Sequence, residues 1–221
     1  MKYIALFLVL SLICTGAAAQ PFAVFTGEKD GNADLYRIDL KNFKIEQLTR
    51  LPSNEFQAAV SPDGRQVAFV SDKDGAHSLY LMEVASPSAE WKNISLGMGA
   101  HANPAFSPDG KKIVVSYSPD PERIFSNSKL VSLELDSKKQ TVLLDSVKWT
   151  SSGEGQTFLF LDRPLWIDSE NIAFVAIEYA DLETMRITSS GIFRLNLADL
   201  KPVHLCGGES YFDEDGNPKG Y

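Results

Sequence analysis

A repeated tetrapeptide limits the folds that this chain can adopt. Residues 61–64 read Ser-Pro-Asp-Gly, and the same four residues return at 107–110, 46 positions later. A run of apolar and β-branched residues follows each copy, RQVAFVS after the first and KKIVVSY after the second. Self-similarity at such a period is typical of arrays of one supersecondary unit. The sequence therefore predicts a series of similar units.

The rest of the unit repeats as well. Residues 28–40 match residues 72–84, since both segments contain Lys-Asp-Gly followed by Leu-Tyr. A third copy of the unit, at residues 166–175, keeps the frame without the tetrapeptide, and a faint fourth lies at 212–217. Apolar and polar residues alternate in these segments, as in β-strands. With the short segment that closes each unit, such as IEQLT at 45–49, each unit contains four strands.

The tetrapeptide has the chemistry of a tight turn. Pro62 presets φ, Asp63 can hydrogen-bond the local backbone, and Gly64 accepts a positive φ. Asp74-Gly75 predicts a second hairpin in the same unit. We therefore interpret the recurring aspartates as turn formers and not as catalytic carboxylates: Asp30, Asp63, Asp74, Asp109 and Asp215.

Four antiparallel strands repeated every 40 to 50 residues are typical of β-propeller blades. No stretch of three helical turns carries an apolar stripe, and residues 178–190 are expected to form a long hairpin loop. The predicted fold is all-β, a β-propeller of four-stranded antiparallel blades with about four blades present.

The segments SPDG, AFVS, KDG, SLYLMEV and the closing Leu-Thr, within residues 22–84, resemble the repeat of TolB-like propellers, also called the PD40 or WD40-like repeat. The resemblance covers roughly residues 22–215 and weakens after residue 140. It implies a six-bladed parent, so we expect an incomplete propeller. Alternatively, the C-terminal residues supply the missing inner strand of the first blade and close a four-bladed ring.

The first 19 residues are predicted to be a signal peptide, because Lys2 precedes an apolar run and Ala17 and Ala19 suit a small-residue cleavage site. Lipidation at Cys14 is disfavoured by the bulky Ile13 before it. The apolar run is too short to span a bilayer. The propeller is then expected over residues 20–221, in a periplasmic or secreted protein.

Charge and cysteine content restrict the partners. Without the signal peptide the chain has 20 basic and 29 acidic residues, a net charge of −9, which disfavours nucleic acid. Cys206 is then the only cysteine, so no internal disulfide is expected. We expect a monomer without a membrane span or a cofactor.

Insertions interrupt the repeat in its second half. The third interval has about thirteen extra residues, predicted between 145 and 163, and the hairpins at 117–128 and 178–190 are longer than an Asp-Gly turn. Long loops on a rigid scaffold frequently carry binding.

The candidate contact residues come from these regions and from the approaches to the inner strands. His101 is the strongest histidine candidate, although the three histidines lack a zinc-binding spacing. Residues 213–217 contain only a fragment of a calcium loop, and no GxSxG nucleophile motif occurs. The predicted binding residues are Glu55, His101, Asn103, Trp149 and Arg163.

The resemblance implies an exported, non-catalytic propeller that binds a protein or peptide partner in the cell envelope, like a TolB-type adaptor. The alternative is the propeller portion of an enzyme. That enzyme would be a prolyl-oligopeptidase-type serine peptidase whose hydrolase domain follows residue 221, or a metal-dependent polysaccharide lyase.

Overall fold

The computed structural model describes residues 5–12, 21–29, 31–87, 90–121, 128–145, 147–149, 156–158, 160–181 and 186–210. These residues form β-strands and turns. The described part of the chain has no helix with the length and apolar character needed to cross a membrane.

Four antiparallel sheets of four strands follow one another along the chain, and in each the strand order is the chain order. The first two sheets consist of β1 (Ala5–Leu12), β2 (Phe22–Lys29), β3 (Asn32–Asp39) and β4 (Ile45–Gln47), and of β5 (Glu55–Val60), β6 (Gln66–Ser71), β7 (Ser78–Glu83) and β8 (Lys92–Asn93).

The third and fourth sheets are built in the same way, and a two-stranded hairpin lies between them. The strands are β9 (Ala100–Phe106), β10 (Lys112–Ser118), β11 (Lys129–Glu134) and β12 (Gln140–Leu144); the hairpin β13 (Val147–Trp149) and β14 (Gln156–Phe158); and β15 (Phe160–Trp166), β16 (Asn171–Asp181), β17 (Arg186–Asn196) and β18 (Pro202–Ser210). The prediction of four-stranded antiparallel blades is confirmed.

The Ser-Pro-Asp-Gly turn is closed by its own side chains. The Ser61 hydroxyl donates to Asp63 Oδ1 at 2.6 Å and accepts from the Gln66 N–H at 2.9 Å, and Gly64 has a φ of 72°. Residues 107–112 repeat these bonds, with Ser107 donating to its aspartate at 2.6 Å. Asp63 and Asp109 are therefore confirmed as turn formers.

The hydrophobic core lies between neighbouring sheets. Phe22 and Val24 of the first sheet pack with Val67 and Phe69 of the second, and all four side chains are buried. Equivalent clusters join the second sheet to the third and the third to the fourth. Each blade therefore depends on the next for burial of its apolar face, as in repeat architectures generally.

The N-terminal strand β1 falls within the predicted signal peptide. It pairs with β2 at the edge of the first sheet, so that Phe22–Lys29 is the second strand of its blade. The signal peptide itself stays a prediction.

The predicted insertion between 145 and 163 contains the hairpin of β13 and β14. The expectation of a long loop at residues 178–190 is wrong in part, because β16 and β17 remain paired from Glu178 opposite Ser189 to Asp181 opposite Arg186. Strand pairing satisfies backbone groups that a loop would leave to solvent. Residues 122–127 of the other long hairpin lie outside the described residues.

Candidate functional site

The first strands of three consecutive blades lie side by side. The middle strand, β9, contacts both β5 and β15, and each of these three strands is an edge strand of its own sheet. We call β5, β9 and β15 the inner strands, and we call the surface that they present together the channel wall.

Each inner strand contains a β-bulge at the same level. The pairing register shifts between Phe56 and Ala59 in β5, and equivalent shifts occur in β9 and β15. The residue inside each shift has a positive φ: 53° for Gln57, 52° for Asn103 and 48° for Arg163. Such a conformation in a residue other than glycine costs on the order of 1–3 kcal/mol and is concentrated at functional sites. Bulges also redirect side chains.

Hydrogen bonds connect these three positions across the blades. The Asn103 N–H donates to Gln57 Oε1 at 2.9 Å, and Asn103 Nδ2 donates to Asp162 Oδ1 at 2.6 Å. Arg163 Nε lies 3.5 Å from Asp162 Oδ2. We call Gln57, Asn103, Asp162 and Arg163 the bulge network. It is a continuous polar connection between the second, third and fourth blades.

The two charged members of the network differ in exposure. Asp162 is buried, and burial raises the pKa of its carboxyl, although bonds from Arg163 and Asn103 oppose that shift. The Arg163 side chain is 77% exposed. A perturbed carboxyl beside a positioned cation is a feature of functional sites. The arrangement provides hydrogen-bonding groups and one accessible positive charge.

Glu55, a predicted contact residue, is completely buried at the start of β5. Its Oε1 accepts hydrogen bonds from the Ser53 hydroxyl at 2.6 Å and the Ser71 hydroxyl at 2.9 Å, whereas Oε2 has no partner among the described residues. Burial, and secondarily the charge of Asp34, raise the pKa of Glu55. Its side chain has no surface with which to touch a partner.

His101, 46 residues after Glu55, occupies the equivalent position in β9 and is also completely buried. The Leu96 N–H donates to its Nε2 at 2.9 Å, so its Nδ1 donates to the His77 carbonyl at 2.9 Å. Burial lowers the pKa of His101 to about 4. Both ring nitrogens are occupied, which leaves none for a metal or a partner.

The structure thus brings together two of the predicted residues, Asn103 and Arg163, through Asp162. Trp149 lies in β13, and its side chain is outside the described part of the chain. Sequence reasoning missed Gln57 and Asp162. The 46-residue period identifies Gln57 as the counterpart of Asn103, so the repeat contained that signal.

In the described residues, no three histidine, cysteine, aspartate or glutamate side chains form a group that could hold a metal. Cys206 is an exposed free thiol. Residues 213–217, considered as a calcium loop fragment, lie outside the described residues.

The fold and the sequence can be compared with known proteins. The family model described as the TolB beta propeller domain matches residues 21–163, more than half of the chain. The chain belongs to the TolB β-propeller family. A TolB homolog of Chlorobaculum tepidum is 30% identical over 95 residues, a match that spans 43% of this chain and 21% of the relative.

Solved structures show the same fold. TolB from Acinetobacter baumannii has a TM-score of 0.64 and 18% identity, over 91% of this chain and 44% of that one. A puromycin-hydrolyzing peptidase of Mycobacterium tuberculosis has a TM-score of 0.58 and 18% identity, over 89% of this chain and 30% of that one. At such identity these likenesses show the fold alone. This TolB-family chain spans about a fifth of the curated relative and less than half of the solved TolB.

Proposed function

We propose that the protein binds a protein or peptide partner through the channel wall around the bulge network, as a non-catalytic, TolB-like adaptor of the cell envelope. The observation that carries this proposal is the set of strained polar residues, Gln57, Asn103 and Arg163, at equivalent positions of three inner strands. Packing alone would favour unstrained apolar residues there. Strain that persists in a well-paired strand is a reason to assign function to it.

The surroundings of the network support a binding surface. Arg163 is exposed, and Leu165, two residues further along β15, is an exposed apolar side chain. Preorganised polar groups beside accessible apolar surface are the ordinary composition of protein interfaces. We therefore place the partner against the wall at β9 and β15.

The insertions lie at the end of the blades where the inner strands begin. The hairpin of β13 and β14 leads directly into β15, and the β16–β17 hairpin extends past the start of β15, because Phe160 pairs with Ile177 while β16 continues to Asp181. We propose that the β13–β14 hairpin and the β16–β17 hairpin extend the contact surface and that Trp149 contributes to it. Glu55 and His101 are left out of the surface because they are buried.

The location follows from the family and from the predicted signal peptide. A TolB-family chain with a charged, then apolar N-terminus is suited to export, and we propose the periplasm as its compartment. A net charge of −8 disfavours nucleic acid as the partner. The proposed adaptor acts as a monomer and uses no cofactor.

Site-specific photo-crosslinking tests the proposal. A benzophenone amino acid replaces Leu165 on the inner strand β15 in one variant and Val142 on the outer strand β12 in the other, two exposed apolar positions. Each variant is irradiated in living cells, and adducts are identified by mass spectrometry. We expect a discrete protein adduct from position 165 that position 142 does not give. Equal adducts at both positions, or none at position 165, would overturn the proposal.

A further inference from the structure

The bulge network has more free donors than free acceptors. Within the described residues, Gln57 uses its Oε1 and Asn103 uses one N–H of Nδ2, whereas no bond is made by Gln57 Nε2 or by the terminal nitrogens of Arg163. An amide nitrogen carries two donors and a guanidinium carries five, while the free acceptor sites are those of Asn103 Oδ1 and of the buried Asp162 carboxylate. The complementary ligand is therefore rich in acceptors.

A buried carboxylate lies beside the guanidinium of Arg163. Asp162 faces its Nε edge at 3.5 Å, and Asp162 is itself fixed by the 2.6 Å bond from Asn103. Within the described residues, the two terminal nitrogens of this 77% exposed side chain make no hydrogen bond. Two parallel N–H groups of a guanidinium match the two oxygens of a carboxylate.

We infer that Arg163 recognises a carboxylate of the partner, with Asn103 and Gln57 bonding the adjacent peptide groups. This inference rests on the proposed function. Asp162 is a positioning residue, because it acts through Arg163. The carboxylate comes from an aspartate or glutamate side chain or from a chain terminus, and a titration with peptides that carry one or the other distinguishes the two sources.

The charge of the chain restricts the partner further. The protein carries a net charge of −8, so a strongly acidic partner would be repelled over the range of the Debye length, about 8–10 Å. A single carboxylate aligned with Arg163 avoids that repulsion. The partner segment therefore has an isolated acidic group among neutral residues.

The matched control is Arg65. Its side chain is 82% exposed, against 77% for Arg163, and its Nε lies 3.9 Å from Asp63 Oδ2. Arg65 thus has a similar exposure and also lies beside an aspartate, but that aspartate is exposed and not buried. Arg65 follows the Ser-Pro-Asp-Gly turn and lies outside the bulge network, and its neighbour Asp63 accepts from Ser61 and not from Asn103.

The first test is an NMR titration of the full chain labelled with ¹⁵N at arginine. The probes are the blocked tripeptides Ac-Gly-Asp-Gly-NH₂ and Ac-Gly-Asn-Gly-NH₂, and Ac-Gly-Gly-Gly with a free terminal carboxylate. We expect a saturable shift of the Arg163 Nε–H resonance with one or both carboxylate peptides and none with the neutral peptide. The Arg65 resonance should not move. A shift by the neutral peptide, an equal shift of Arg65, or no shift would overturn the inference.

The second test uses the partner that crosslinks at position 165. Arg163→Gln is expected to weaken its binding by about tenfold or more, the usual effect of losing a charge-assisted pair. Arg65→Gln should leave binding unchanged, and Arg163→Lys should recover it in part. If the partner crosslinks at position 165 but binds Arg163→Gln normally, the carboxylate inference fails while the adaptor proposal stands. If no partner crosslinks there, the adaptor proposal itself fails.

Discussion

Asn103 Nδ2 donates a 2.6 Å hydrogen bond to Oδ1 of the buried Asp162, a residue 59 positions away, and so joins the inner strands of two neighbouring blades. A buried carboxylate without such a bond would carry the full penalty of its lost hydration. Because Asp162 also orients Arg163, the same bond serves both the packing of the blades and the proposed binding surface.

Asn103→Ala is expected to lower the free energy of unfolding by about 1–3 kcal/mol, because it leaves Asp162 without this donor. Asn103→Gly removes the same amide but accepts the φ of 52° without strain. The glycine variant should therefore be more stable than the alanine variant by about 1 kcal/mol. Urea unfolding measures both differences. Equal stability of the two variants would show that the positive φ is not strained.

The blades could be predicted from the sequence because their determinants are local. Pro62, Asp63 and Gly64 specify a turn within four residues, and the Ser61 bonds that close it involve the same segment. Strand alternation is likewise visible in any short window. Turn chemistry and period together were enough to predict four-stranded units.

The site was less predictable because it depends on pairing between distant segments. Asn103 and Arg163 each precede a proline, and local rules favour extended backbone there, yet both have a positive φ. Each bulge arises from the pairing register between an inner strand and the next strand of its own sheet, β10 for β9 and β16 for β15. The burial of Glu55 and His101 depends on the preceding blade, which no local pattern encodes.

Glu55→Gln tests the buried carboxyl at the start of β5. Burial raises the pKa of Glu55, so its contribution to stability is complete below the ordinary pKa of 4.5 and is lost as the pH rises through the folded-state value. The neutral variant should therefore gain stability relative to the native protein as the pH rises from 4 to 8. Thermal unfolding of both proteins between pH 4 and 8 measures how their difference in stability changes with pH.

The exposed Glu83 supplies the control for Glu55, because Glu83→Gln makes the same change in net charge. The interpretation requires that Glu55→Gln and Glu83→Gln differ in their pH dependence. Identical curves for the two variants would mean that the effect comes from net charge and not from burial.

His101→Asn is expected to lower the free energy of unfolding by about 1–3 kcal/mol at pH 7, because the half-buried Leu96 N–H loses its acceptor. The pKa of His101 is about 4 in the folded protein, below its ordinary value of 6.5. The unfolded chain therefore takes up a proton between pH 6.5 and 4 that the folded chain does not, and native stability falls over that window. The difference in the free energy of unfolding between the native protein and His101→Asn should therefore become smaller as the pH falls from 6.5 to 4. Glu55 titrates in an overlapping pH range. Measuring the effect of His101→Asn in a protein that also carries Glu55→Gln removes the Glu55 titration and leaves that of His101.

Asp63→Asn tests the turn. The hydrogen bond from Ser61 lowers the pKa of Asp63, so the stabilisation is present above the ordinary pKa of 3.8 and is lost as the pH falls through the folded-state value. Because Asp63 is exposed, we expect a loss of at most about 1 kcal/mol at pH 7. Asp109→Asn should repeat the result, since Asp109 makes the same bonds. Opposite results at the two turns would contradict their equivalence.

Gly99→Ala tests how tightly the start of β9 is held. A Cβ at Gly99 would overlap the Ser118 carbonyl oxygen and lie 2.8 Å from Cε2 of Tyr117, so backbone must move. We expect Gly99→Ala to lower the free energy of unfolding by about 3 kcal/mol, near the upper end of the range for overpacked substitutions. Gly75→Ala is the control, because Gly75 has a φ of 85° but no atom within 4 Å of an added Cβ. Gly75→Ala should lower the free energy of unfolding by about 1 kcal/mol.

The two glycine variants also separate stability from binding. Gly99 immediately precedes Ala100, the first residue of the strand that carries Asn103, whereas Gly75 lies in the hairpin between β6 and β7. At a temperature where both variants are folded, Gly99→Ala should reduce crosslinking from position 165 and Gly75→Ala should not. If both variants crosslink like the native protein, the position of β9 does not control access to the channel wall.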